Sequence, residues 1–524
     1  MQYSDLTYLL LFLPLVIIIY SITPKKLRWL TLLLASYIFF YSISKYLIIY
    51  MLGTTLIIYI ISIILDKLKI KEKILLEGLE KEERKLIKKK YAKKRKIVLI
   101  LGILLILLPL TLTKYLGFIS ESIKDITSIN LNLTNLIAPI GISFYSLEAI
   151  SYLVDIYREK IEVNKNFFKL SLYLTFFPKL MEGPITRYEE VSSSLYEGNI
   201  ITYKNLTFGL QRIIYGLIKK IVIVSRVHLT VEAIFKNYTS YNGSVLLIGI
   251  VLYIIELYMD FSGVMDIVIG TSEIFGIKLP ENFKRPFFSR SISDFWSRWH
   301  VTLGAFFKDY IFYPVSLSKF SRNITLKTRK TLGNHFGPLI PGSIALLLVW
   351  LANGLWHGAG YHYILFGLYH FTFILLGNIF SPLINKFYEK TKINKDNFII
   401  KSLSILKTTI IVIFGEIFFK ASSVKSALYI IKNIFTNFNL DFIKNHTLLK
   451  LGLDNKDIFI IILTLIIVFI VGIFNEKNIS IREKVSKKPL VIRWIIYYSL
   501  IFYLLIFGAY LGPYVPVDPM YASF

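Results

Sequence analysis

Apolar residues run through this chain in long unbroken blocks separated by short polar turns. A helix needs about 20 apolar residues to cross a hydrocarbon core. Blocks near that length fall at roughly 6–22, 29–44, 46–65, 97–116, 136–156, 206–226, 245–270, 340–356, 361–380, 401–419, 457–475 and 490–511. The apolar positions are continuous rather than alternating, which argues against an outer-membrane-type barrel. Several blocks are short or carry Gly and Pro. The pattern therefore predicts an all-α polytopic membrane protein of about ten to twelve transmembrane helices, with re-entrant or interfacial helices between some of them. No internal repeat or low-complexity linker divides it, so 1–524 reads as one membrane domain.

The polar turns set an expected orientation. The turn at 24–28 carries Lys25, Lys26 and Arg28, and the stretch 66–96 holds 14 Lys/Arg against 6 Asp/Glu. The loop 381–400 has four lysines against Glu389 and Asp396, and 476–489 is basic again. By contrast, 117–135 has Lys124 as its sole cation. Basic loops collect on the cytoplasmic face. That rule places the N-terminus outside and, with twelve spans, 512–524 outside as well. The first 22 residues have no basic segment before them and no small-residue cleavage site after them, so a retained span is expected there. The 66–96 segment reads as a helical hairpin or amphipathic element at the cytoplasmic surface, a solvated charged face that helps orient the chain.

Composition agrees. Of 524 residues, 55% are hydrophobic and 18% charged, against roughly 25% charged in a soluble domain. Mean hydropathy is +0.58. This excludes an ordinary soluble enzyme and a disordered chain. The net charge of +27 is what basic cytoplasmic loops produce, and nucleic acid is not expected as a partner. With no cysteine, thiolate metal sites and a cysteine nucleophile are ruled out, and no metal is expected.

Three stretches break the span pattern. The first, 138–188, contains Pro139, Gly141, Pro178, Gly183 and Pro184, with Lys179 and Glu182 inside an apolar run. Irregular backbone at membrane depth is tolerated only where protein or a wet cavity surrounds it. The second, 281–336, holds ten Lys/Arg against Glu281, Asp294 and Asp309, interleaved with Phe287, Phe288, Phe295, Trp296, Trp299, Phe306, Phe307 and Phe312. It suits an interfacial segment on the cytoplasmic side, either anchored to anionic lipid or cradling an anionic ligand through Arg285, Arg298 and Lys308. The third runs from Trp350 to His362 and is rich in small residues. An ionisable group at that depth is a functional candidate by default.

Seven histidines are present. His228 and His446 fall in predicted loops, and His335 ends a basic loop, so all three read as solvated. His362 and His370 fall in the next span and read as edge and core residues. His300, in Phe295–His300, and His357, in Trp356-His357-Gly358, remain as chemical candidates. Imidazole titrates near 6.5, so one ring can take a proton while another gives or holds one. Acyl transfer also needs donors aimed at a developing oxyanion, and Asn353 and the N–H groups of Gly358 and Gly360 are the candidates beside His357. From spacing alone, each histidine reads first as a structural hydrogen-bond partner in an aromatic segment and only second as a catalyst.

Six motifs in order carry a family resemblance. Pro139–Phe144 resembles a PxGISF element, and Phe177-Pro178-Lys179 leading to Gly183-Pro184-Ile185 resembles FPQ…GPI. Tyr258–Gly263 resembles YxDFSG, and Phe295–His300 resembles FWRRWH. Lys308–Pro314 resembles RDYLYIPL, and Gly354–Gly358 resembles GLWHG. Together they resemble the membrane-bound O-acyltransferases, in the bacterial branch that acylates cell-surface polymers. Length and motif texture are similar to the alginate O-acetyltransferase type. Two features depart from the pattern: Lys179 replaces the glutamine of FPQ, and the end of the chain, 518–524, is only loosely similar to an FxYFQF ending.

The resemblance implies a helical fold around a central tunnel joining the two membrane faces. It implies His357 as the catalytic histidine and His300 as the second active-site histidine, with Asn353, Trp356, Trp299, Arg298, Lys308 and Arg285 toward the substrates. It implies an acyl thioester donor, acetyl-coenzyme A or an acyl carrier protein, and no bound cofactor. It implies an extracellular hydrolase-like partner of the Ser-His-Asp (SGNH) type and a link to polysaccharide synthesis and export, in the bacterial cytoplasmic membrane. D-alanyl transfer from a carrier protein to teichoic acid, and a transporter or flippase without bond chemistry, stand as alternatives.

Overall fold

The computed structural model describes residues 1–129, 131, 133–510 and 514. Every regular element among them is a helix. Eight helical runs are long and apolar enough to cross a bilayer: Lys25–Leu75, Lys81–Thr127, Gly243–Ile274, Lys319–His357, Tyr361–Thr391, Phe398–Lys420, Asn455–Glu476 and Leu490–Phe507. Thr7–Ile22 is apolar but shorter. The first run is two helices, Arg28–Ser44 and Ile48–Leu75, broken where Lys45 takes a left-handed φ of 46°. The basic 66–96 stretch is indeed a helical hairpin, formed by the ends of Ile48–Leu75 and Lys81–Leu110.

Two expected spans do not form as such. At 136–156 the Pro139–Gly141 turn delays the helix to Ile142–Tyr157, which is too short and almost wholly buried in protein. At 206–226 the chain forms Tyr203–Leu217, a π-helical stretch Ile218–Val224 and then Ser225–Lys236. Its apolar pattern belongs to a helix that buries cations against carboxylates. The expected fate of 512–524, and the 518–524 ending, fall outside the described residues apart from Tyr514.

The chain packs as two compact units. One is Met1–Leu210 with Val268–Pro280, and the other is Gln211–Ile267 with the residues from Glu281 onward. In the first, the two Pro/Gly motifs lock together. Gly141 has φ +79°, and a Cβ there would lie 2.1 Å from the Leu180 carbonyl oxygen, so only glycine fits. Lys179 donates to Glu148, and the other Glu148 oxygen accepts from Thr186 N and Oγ1, both at 2.9 Å. The Lys179 and Glu148 side chains are 1% and 6% exposed. Ions so desolvated are tolerated only with near-complete pairing. Tyr3 donates to the Phe177 carbonyl at 2.8 Å and stacks on Phe39, which extends the core over the same turn.

The Gly243–Ile274 helix, which the second unit holds as far as Ile267, is the most enclosed of the eight: 67% of its most apolar stretch is buried, against 33% or less elsewhere. Its carboxylates meet the π-helical stretch. Lys220 pairs with Asp260 of the Tyr258–Gly263 motif, and Lys219 with Asp266 at 2.7 Å. Arg212 joins Asp266 at 3.0 Å and Glu281 at 2.6 Å. The two helices approach closely at paired glycines, since a Cβ on Gly216 would lie 2.4 Å from the Gly263 carbonyl oxygen. Lys319–His357 is two helices divided at Gly333 (φ 77°). The basic part folds back so that Thr328 Oγ1 donates to the Gly337 carbonyl at 2.7 Å. The apolar part, 334–357, ends on His357.

Candidate active site

His300 owes its place to a break between two short helices. Ser291 caps Ile292–Arg298 by accepting from Asp294 N at 3.1 Å. Trp299 then turns extended, and His300 takes φ 46°, ψ 51° before Val301–Phe307 begins. A left-handed non-glycine residue is disfavoured, less so for His than for most. Here it is held by Asn282, eighteen residues upstream. His300 donates from Nδ1 to Asn282 Oδ1 at 3.0 Å, and the same oxygen accepts from Thr302 N (3.2 Å) and Oγ1 (2.9 Å). Val301 N donates to the Asn282 carbonyl, and Lys284 N to the Arg298 carbonyl. The backbone N–H of Thr302 needs an acceptor, so the Asn282 oxygen faces His300, and the imidazole proton sits on Nδ1. That leaves Nε2 as the basic nitrogen.

His300 is 3% exposed and His357 4%. Burial pushes the His300 imidazole down to about 3, so it stays neutral at physiological pH. Trp356 bridges the two histidines: its ring centroid lies 5.5 Å from that of His300 and 4.9 Å from that of His357. Phe261, of the Tyr258–Gly263 motif, meets His300 edge-on at 4.8 Å. Phe419 and Phe366 meet His357 at 5.0 and 5.9 Å. The two predicted imidazoles therefore share one aromatic chamber, with Trp356 against both.

His357 is the last residue of its helix, and the next helix starts at Tyr361. Gly354 and Gly358 permit this hairpin: a Cβ on Gly354 would lie 2.4 Å from the Tyr363 carbonyl, and one on Gly358 2.0 Å from the Tyr363 ring. This corrects the expectation that Gly358 is an oxyanion donor, because its N–H already donates to the Gly354 carbonyl at 3.3 Å. Asn353, one turn before His357, is buried with Oδ1 lacking a hydrogen-bond partner among the described residues.

The remaining predicted residues lie further out. Trp299 packs among Tyr258, Phe283, Phe287 and Phe295, with its ring parallel to Phe295. Arg298 donates to Asp294 (2.8 Å) and Glu476 (3.0 Å), and Arg285 to Glu476 (2.6 Å). These two cations thus share a carboxylate that the sequence did not flag. Lys308 is exposed and lies over the Tyr313 ring at 5.6 Å.

Among the histidines set aside, His370 is a core residue packed on Trp296 and Trp350, as expected. His335 donates to the Asn378 carbonyl. His228 is not a solvated loop residue. It sits on Ser225–Lys236 with Nδ1 2.6 Å from Glu256 Oε1, and that bond raises its pKa. The sequence missed it because Glu256 is hidden in an apolar block. Asn282 was missed for a similar reason: it precedes the motif it serves and belongs to none.

A family model described as the membrane-bound O-acyltransferase family matches residues 157–333. The probable alginate O-acetylase AlgI of Pseudomonas putida is 30% identical over 71% of this chain and 69% of its own length. The peptidoglycan O-acetyltransferase of Helicobacter pylori is 30% identical over 65% of each chain. The teichoic acid D-alanyltransferase of Bacillus subtilis is 29% identical over 48% of this chain and 62% of its own. The chain thus spans less than two thirds of the length of the last two.

Proposed function

The chain belongs to the membrane-bound O-acyltransferase family, and from that membership we propose that it is an O-acyltransferase that moves an acetyl group from a thioester on the cytoplasmic side to a hydroxyl on the outer side, for acylation of a cell-surface polysaccharide. One observation carries this reading: two buried imidazoles share the Trp356 ring, and one is oriented through its Nδ1–H by Asn282. His357 takes the proton of the incoming hydroxyl as its oxygen attacks the thioester carbonyl. The C–O bond forms, the C–S bond breaks, and the departing thiolate receives the proton. With Nδ1–H committed to Asn282, His300 is cast as the holder of a substrate proton rather than as the donor to the carbonyl oxygen. Asn353 supplies a buried amide beside His357 for that oxygen.

The donor is acetyl-coenzyme A or a loaded carrier protein, docked toward the exposed Lys308. Basic loops face the cytoplasm, and both termini lie outside. The acceptor is the serine of an extracellular SGNH-type partner that completes transfer to the polymer. In proteoliposomes loaded with acetyl-coenzyme A, H357A is expected to lose acetyl transfer while retaining its Tm. Normal transfer by well-folded H357A overturns the assignment.

D-alanyl transfer is a second reading, favoured by the similarity to the Bacillus teichoic acid enzyme. Presenting the purified protein with acetyl-coenzyme A and with a D-alanyl-loaded carrier in parallel separates the two donors.

A further inference from the structure

The second unit contains an apolar groove that the proposed reaction does not use. Its volume is 350 Å³, within the range of small-ligand sites. Three of the long apolar helices form it, through Val251, Ile254, Tyr258, Ile413, Val468 and Phe469 among others. Val251 (37%) and Phe469 (57%) are exposed at its rim, so it opens on the face that these helices turn to lipid. Arg285 is the one charged residue in its lining. Tyr258 belongs to the groove, but Phe283 stands next (5.7 Å between rings), then Phe261 (5.0 Å), and only then His300. An aromatic wall thus separates the groove from the imidazoles.

We propose that this groove is a binding site for one acyl chain of an anionic phospholipid, whose phosphate is held by Arg285 and Arg298. The chain supplies the apolar filling that a groove between spanning helices needs. The choice of an anionic head rests on charge. Arg285 and Arg298 share Glu476, and Arg298 also holds Asp294, so these four groups cancel. Lys284 and Lys477, next in sequence to Arg285 and Glu476, are exposed and add two uncancelled positive charges to these segments. A guanidinium pair offers the planar donor geometry that phosphate takes. The flanking stretches 281–336 and 476–489 are the basic ones that the positive-inside rule assigns to the cytoplasmic leaflet, where polybasic segments attract anionic lipid.

Occupancy reaches the active site through backbone. The Arg298 carbonyl accepts from Lys284 N, and a little further along the same two segments Asn282 anchors Val301, Thr302 and His300. A phosphate fixing Arg285 and Arg298 therefore steadies the loop that sets His300.

The experiment reads lipid rather than acyl transfer, so its outcome is independent of the proposed activity. Wild type, I413W, which fills the groove, and R285Q are purified in mild detergent and analysed by native mass spectrometry and thermal unfolding. Titrants are phosphatidylglycerol, phosphatidylcholine and glycerol 3-phosphate. Wild type is expected to keep one phosphatidylglycerol and to gain Tm with it, as a ligand of the folded state must. Phosphatidylcholine, which keeps the phosphate but adds a choline cation facing the basic groove end, should bind about tenfold more weakly, and glycerol 3-phosphate alone should give no shift. I413W, folded by its own unliganded Tm, should lose the bound lipid, and R285Q should lose the preference for phosphatidylglycerol. Equal binding of both lipids to all three proteins, or a full shift with glycerol 3-phosphate, overturns the proposal.

Discussion

Asn282 Oδ1 accepts the Nδ1–H of His300 at 3.0 Å while also accepting from both donors of Thr302. One amide oxygen thus sets the tautomer of the buried imidazole and starts the helix that follows it.

Asn282 separates orientation from fold. N282A should lower kcat strongly, with little change in donor KM, and destabilise the fold by about 1–3 kcal/mol through the donors left unpaired. N282D keeps the acceptor and adds a charge that favours protonated His300. It should retain more activity than N282A, with the acid limb of its kcat profile moved to higher pH. Steady-state kinetics across pH for the two variants checks this.

His300 also makes stability depend on pH. Its folded pKa, about 3, lies below the roughly 6.5 of an unfolded histidine. Between these values the unfolded chain binds the extra proton. The stabilisation is complete above pH 6.5 and declines as pH falls, by up to about 1.4 kcal/mol per unit per group. H300N should show a shallower loss of Tm from pH 7 to 4 than wild type.

The Glu148–Lys179 pair is the keystone of the first unit. K179M should cost about 3–5 kcal/mol, because it strands a buried carboxylate. E148L/K179M should recover much of that loss, since neither charge remains. Thermal unfolding of the single and double variants gives the coupling directly.

Gly358 is tested by relief of a clash. G358A places a methyl 2.0 Å from the Tyr363 ring and should displace His357, lowering kcat at least tenfold. Y363L in the same chain should restore part of it, whereas Y363F, which keeps the ring, should not. The paired rates decide whether the glycine serves packing.

Much of this was legible from the chain. Long apolar blocks gave the helices, and the motif residues His300, His357 and Trp356 meet in one chamber. The blocks at 136–156 and 206–226 misled because burial in protein and burial in lipid leave the same apolar signature. Lys219 and Lys220 were the clue: consecutive cations in an apolar run require carboxylates, and Asp260 and Asp266 supply them. Glu476 and Asn282 were invisible because their partners lie 178 and 18 residues away. The Gly358 amide looked available only until the helix C-terminus claimed it.

His357 closes one helix and only three residues separate it from the next. A side chain in mid-helix takes its bearing from the turns on either side, but this one takes it from a hinge. The spacing between the two rods therefore fixes what the imidazole faces, so lengthening the 358–360 connection by even one residue would shift Phe366 away from the ring while leaving both rods intact.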